Sequence, residues 1–119
     1  MNTRSKGYLY ERKAKEYLES LKIKIIETNY YGYKGEIDLI GYDLDTLVFF
    51  EVKYRKNKNF GLPQEAINLI KKKKIYFTAK DYITKRKLYD KQIRFDAILF
   101  IGDEIQWLKN IIWGDELGI

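Results

Sequence analysis

Four side chains with chemistry to offer stand within "GEIDLIGYDLDTLVFFEVK", residues 35 to 53: Glu36, Asp38, Glu51 and Lys53. The stretch alternates like a β-hairpin, yet acids occupy places where two apolar strands would carry hydrocarbon. If "DLDT" is the turn, with Leu44 and Asp45 at its tip, facing residues have numbers that sum to 89. Asp38 then faces Glu51, and Glu36 faces Lys53. Two carboxylates about 5 Å apart at an effective dielectric near 20 repel by roughly 3 kcal/mol, which is large for a small domain. A divalent cation turns that repulsion into chelation, and carboxylate oxygens from adjacent strands suit Mg²⁺ or Mn²⁺. The alternative is an exposed polar face with Glu36–Lys53 as an ordinary cross-strand ion pair.

Other residues extend the pattern. Glu11 lies at the edge of the apolar stripe of an N-terminal helix, in line with Ala14 and Leu18, where it can supply a third ligand if that helix covers the hairpin. Lys53, two residues after Glu51 on its side of the strand, stands where an ammonium orients a water or stabilises charge developing on a phosphate. Gln64 and Lys71 are polar intruders on the apolar side of a second long helix. Lys71 either snorkels along apolar surface or reaches, with Gln64, toward the acids, water or phosphate. The set describes a metal-dependent phosphodiesterase site.

Composition agrees. The 119 residues contain no histidine and no cysteine, which removes Ser/His triads, thiolate zinc sites, disulfides and cysteine nucleophiles. Carboxylates, lysines, tyrosines and hydroxyls remain, with a hard cation as helper. The net charge of +6 is unevenly spread: residues 53 to 94 hold 14 Lys/Arg against three Asp/Glu, and everything else holds nine against 14. That basic block beside acidic strands points to a polyanion partner, nucleic acid and DNA first, with a solvated lysine-rich helix as the rival explanation. Lys34, Arg55, Lys71 and Arg94 are the candidate backbone contacts; for Arg94 in "RFD" a structural pair with Asp96 is the default. No apolar run approaches the ~18 residues of a spanning helix and the N-terminus has no signal-peptide core, so no membrane partner and a cytoplasmic location are expected.

The length suits one domain, residues 1–119. The elements that must position these side chains follow from periodicity. Residues 5 to 21 read as a helix with Gly7, Tyr10, Ala14, Tyr17, Leu18 and Leu21 on one side. "IKIIETNYY" gives a strand ending near Asn29, the hairpin follows, and a helix runs from about Gln64 to Tyr82 behind Pro63, with Ile67, Ile70, Ile75, Ala79 and Tyr82 inward. "RFDAILFIG" and "EIQWLK" are strands. The expected fold class is α/β, a central mixed sheet flanked by helices, in the order α-β-β-β-α-β-β. The apolar tail "NIIWGDELGI" either docks on its own domain or joins a homodimer.

The spacing of Asp38 to "EVK" at 51 to 53 resembles the PD-(D/E)xK nuclease signature. "GYLYERKA", Asn29, "GEIDLI", "FFEVKYR", "FGLPQEAI", Lys71 and "RFD", spread over nearly the whole chain, together resemble the YraN-like family, whose endonuclease activity is inferred from its fold. Its members are similar to archaeal Holliday-junction resolvases and share the restriction-endonuclease-like fold. The resemblance implies metal binding by Glu11, Asp38 and Glu51, with Lys53 as the catalytic lysine and Gln64 as the helical glutamine near the site. It also implies branched or junction DNA as a substrate and a dimer as in the resolvases. One departure is Tyr30–Tyr31 where relatives carry a basic residue after the asparagine; Lys34 can substitute. A non-catalytic nucleic-acid-binding module on the same fold is the competing expectation.

Overall fold

The computed structural model describes residues 3–32, 34–57, 59, 61, 66–112 and 114–118. Its elements run α1 (Thr3–Ser20), β1 (Lys24–Tyr31), β2 (Glu36–Asp43), β3 (Thr46–Arg55), α2 (Leu69–Arg86), β4 (Gln92–Ile101), β5 (Glu104–Leu108) and a one-turn α3 (Gly114–Leu117). The five strands form one sheet in sequence order, antiparallel except where β3 and β4 run parallel across the α2 crossover. This is the expected α/β mixed sheet flanked by helices, with α3 added at the end. No helix among the described residues is long and apolar enough to cross a membrane.

Each face of the sheet has its own core. Ala14 and Leu18 of α1 pack with Leu39, Val48, Phe50, Ile98 and Phe100. On the other face Ile75, Ala79 and Tyr82 of α2 pack with Ile40, Leu47, Phe49, Ala97 and Leu99. Alternation along β2, β3 and β4 feeds both layers, and each fully buried Leu, Ile or Phe contributes about 1.5–3 kcal/mol. The tail docks on its own domain: Ile112 and Leu117 join the α2-side core, and the Ile111 amide donates to the Phe95 carbonyl at 2.7 Å.

Both long helices stop in the same way. After α1, Lys22 takes a left-handed φ of 68° while the Ile23 amide returns to the Leu18 carbonyl and the Lys22 amide to that of Glu19. After α2, Lys87 at φ 56° repeats the arrangement, with the Leu88 amide on Ile83 and the Lys87 amide on Thr84. These are Schellman endings, and a buried Ile23–Leu18 pair seals the first.

The second helix departs from expectation at both ends. It begins at Leu69, not Gln64, because Asn68 is extended and its side chain accepts the Lys71 amide at 2.9 Å, which caps the first turn. It also runs past Tyr82 to Arg86. Ile67 is buried ahead of the helix, but Ile70 is 70% exposed. The phase set by Ile75, Ala79 and Tyr82 turns position 70 outward, about 140° from Ile75 at 100° per residue.

Candidate metal centre

The β2–β3 register is the one the turn implies: Asp43 pairs with Thr46 and Leu39 with Phe50, around a tip of Leu44 and Asp45. The ladder stops there, one step short of Asp38 and Glu51. In place of the next backbone bond, Asp38 Oδ2 accepts the Val52 amide at 2.8 Å.

Simple alternation fails at this point. Ile37 belongs to the α2-side core and Leu39 to the α1-side core, although they are two positions apart and should share a face. Across β1, the pairs Thr28–Leu39 and Tyr30–Ile37 flank Asn29, whose φ of 49° is left-handed. Asparagine tolerates that conformation better than most residues. The slip lets Glu36 meet α1 while Ile40, expected on its face, joins the α2-side core. No Glu36–Lys53 ion pair forms among the described residues.

Asn29 is the hub of the resulting cluster. Its Nδ2 donates to Glu11 Oε1 at 2.6 Å and to Glu36 Oε1 at 2.7 Å. One carboxylate oxygen from each of Glu11, Glu36 and Asp38 lies within 4.8 Å of the others, a spacing suited to a single hard cation. Burial pushes the Glu11 carboxyl up to about 7; Asn29 opposes the shift and the charges of Asp38 and Glu36 add to it.

Glu51 continues the acidic line on the other side of Asp38. It is 7% exposed, and burial followed by the Asp38 charge raises its pKa to about 9, against the pull of Lys71 and Lys53. Lys71 Nζ lies 3.8 Å from Glu51 Oε1. Glu51 Oε2 is buried without any hydrogen-bond partner. Leaving such an oxygen unsatisfied costs several kcal/mol unless the group is neutralised by a proton or a cation.

The sequence profile of the Uncharacterised protein family UPF0102 matches residues 10–100, which span every element of this cluster. The chain belongs to the UPF0102 family. It is the YraN family that the motifs resemble. A UPF0102 protein of Fusobacterium nucleatum is 47% identical over 118 residues, covering 99% of both chains. One from Psychromonas ingrahamii is 52% identical over 109 residues, 89% of this chain and 88% of the other. One from Aliivibrio salmonicida is 44% identical over 115 residues, 93% and 94%.

In this UPF0102 chain the expected residues are distributed as follows. Glu11 and Asp38 come together, and Glu51 adjoins Asp38. Lys53 is exposed but close enough for its charge to act on Glu51. Lys71, in the first turn of α2 and not its middle, reaches Glu51. Gln64 lies outside the described residues. Lys34 is exposed and Arg55 half-buried. Arg94, a candidate nucleic-acid contact, is engaged within the fold. Its Nε donates to both oxygens of Asp96 at 3.0 Å and its Nη2 to Asp43 at 2.8 Å, so the guanidinium is committed to two carboxylates. Asp96, fully buried, also accepts from Trp107 Nε1 and the Asn110 amide. "RFD" is therefore the structural pair of its default reading. Asn29 was not among the expected site residues. The available signal was an asparagine inside a strand pattern, a position that side chain usually avoids.

Proposed function

We propose that this UPF0102 chain is a Mg²⁺- or Mn²⁺-dependent endonuclease that hydrolyses phosphodiester bonds of DNA. The observation that carries the proposal is Glu51 Oε2, a buried oxygen without a partner beside Asp38. A packed fold does not retain such an atom for stability, and a cation shared with the neighbouring Asp38 would satisfy it. The donor set fits: every ligand atom is a carboxylate oxygen, the preference of hard divalent ions. When bound, the ion would supply Lewis-acid polarisation of the phosphodiester and a more acidic water.

The chain's own residues have distinct parts. Asn29 holds Glu11 and Glu36 in fixed positions through one amide donor group. The Val52 amide fixes Asp38 against β3. Lys53, exposed and near enough to act on the charge of Glu51, would orient the attacking water and stabilise charge on the phosphate oxygens. Lys71 tempers the charge of Glu51. The basic surface of α2, with Lys34 and Arg55, would hold the DNA backbone.

Incubation of plasmid and branched DNA with Mn²⁺ tests the proposal. Cutting by wild type should require the metal and fall more than about a hundredfold in Asp38→Ala. Salt-sensitive binding with no metal-dependent cutting would leave only a binding module.

A further inference from the structure

A cavity of about 220 Å³ opens between α1 and β1, directly beside the acidic cluster, and shares Glu11 and Asn29 with it. Its helical wall is Tyr8, Glu11, Arg12 and Lys15. These positions are spaced i, i+3, i+4 and i+7, so they form one continuous stripe of α1. That stripe is adjacent to the core stripe of Ala14 and Leu18 but carries no aliphatic side chain. Hydrocarbon burial therefore does not account for it.

Its composition matches a nucleotide. Arg12 and Lys15 make no ion pair among the described residues, although carboxylates lie alongside. Two cations left in this state at the rim of a cleft suit the phosphate oxygens of a strand entering the acidic centre. Tyr8, 45% exposed, brings an aromatic ring to the mouth of the cleft, and buried Leu39 lines the apolar part. The volume is below the roughly 300–1,000 Å³ range of sites for drug-sized ligands and is on the scale of a single base.

We infer that this cleft receives a single unpaired nucleotide of DNA flanking the scissile phosphate, and hence that the substrate is single-stranded or flapped DNA. The inference rests on the nuclease proposal for its position relative to the cut, but the cleft itself binds without metal. An unpaired base rotates into the cleft at little expense, whereas a duplex must first lose pairing and stacking worth a few kcal/mol.

Binding is measured in EDTA with three probes of equal length: a single strand, a flapped duplex and a blunt duplex. Each contains 2-aminopurine, which loses fluorescence when it stacks on an aromatic ring. Single-stranded and flapped DNA should bind about tenfold tighter than blunt duplex. Arg12→Ala/Lys15→Ala should remove that preference. Tyr8→Leu should abolish quenching at one position of the strand, and Tyr8→Phe should retain it. All three residues lie at the surface or its edge, and thermal melts matching wild type confirm folding of the variants. Equal affinity for blunt and flapped DNA, or quenching unchanged in Tyr8→Leu, overturns the inference. The two proposals separate cleanly. Flap preference without Mn²⁺-dependent cutting sinks the nuclease and keeps the cleft, and cutting without flap preference does the reverse.

Discussion

Asp38 Oδ2 accepts the backbone amide of Val52, the residue immediately after Glu51, at 2.8 Å. One hydrogen bond thus ties the acid of β2 to the strand carrying the next acid, where the regular ladder has ended. It keeps the carboxyl groups of Asp38 and Glu51 adjacent. The consequences are measurable without any substrate.

Stability of the metal-free chain should fall as pH rises. Glu51 has its folded pKa near 9 and Glu11 near 7, both above the ordinary 4.5. The folded state therefore holds protons that the unfolded state has released, so this contribution is fully present below pH 4.5. It is lost between 4.5 and about 7 for Glu11, and up to about 9 for Glu51. Thermal melts in EDTA from pH 5 to 9 should show the decline, and millimolar Mn²⁺ should flatten it.

Glu51→Gln should stabilise the metal-free protein at pH 9 by on the order of 3 kcal/mol, or roughly 10 °C in Tm, because a neutral amide replaces the buried charge. The same variant should lose Mn²⁺-dependent cutting. Loss of both stability and activity would show that Glu51 is a packing residue.

Asn29→Gly separates the amide from the backbone, since glycine accepts φ near 49° without strain. Mn²⁺ affinity, followed by calorimetry, should weaken about tenfold as Glu11 and Glu36 lose their shared donor. Unchanged affinity would mean that the two acids are positioned by packing alone.

Asp96→Ala should destabilise the fold by about 3 kcal/mol, because the half-buried Arg94 guanidinium, Trp107 Nε1 and the Asn110 amide lose one buried acceptor together. Urea titration gives the value. DNA affinity measured well below the unfolding transition should not change.

Leu44→Gly should add about 1 kcal/mol to stability. The tip leucine is 92% exposed and holds a left-handed φ of 55°, so its side chain gains no burial while its Cβ strains the turn.

Much of this geometry is legible in the residues themselves. A two-residue tip and strict parity set the pairs from Asp43–Thr46 to Leu39–Phe50, and α1 shows its inward side through Ala14 and Leu18. The slip at Asn29 and Asp38 is not legible, because alternation is a rule about unbroken strands and nothing local announces that two facing residues will break it together. Glu36 consequently meets Glu11, a contact that pleat counting alone does not provide. The start of α2 was obscured by competing signals: Pro63 marks a plausible first turn, but Asn68 supplies the side-chain cap. Arg94 shows a different limit. A basic residue in a basic segment looks available to a polyanion until two carboxylates from elsewhere in the fold claim it.

The four acids are contributed by α1, β2 and β3, so a chain in which any of these has yet to dock presents only scattered carboxylates. Any ion affinity would then be acquired late, by finished molecules alone, and a bound ion would stabilise them selectively over incomplete ones. A nuclease assembled this way would stay inert while nascent or misfolded.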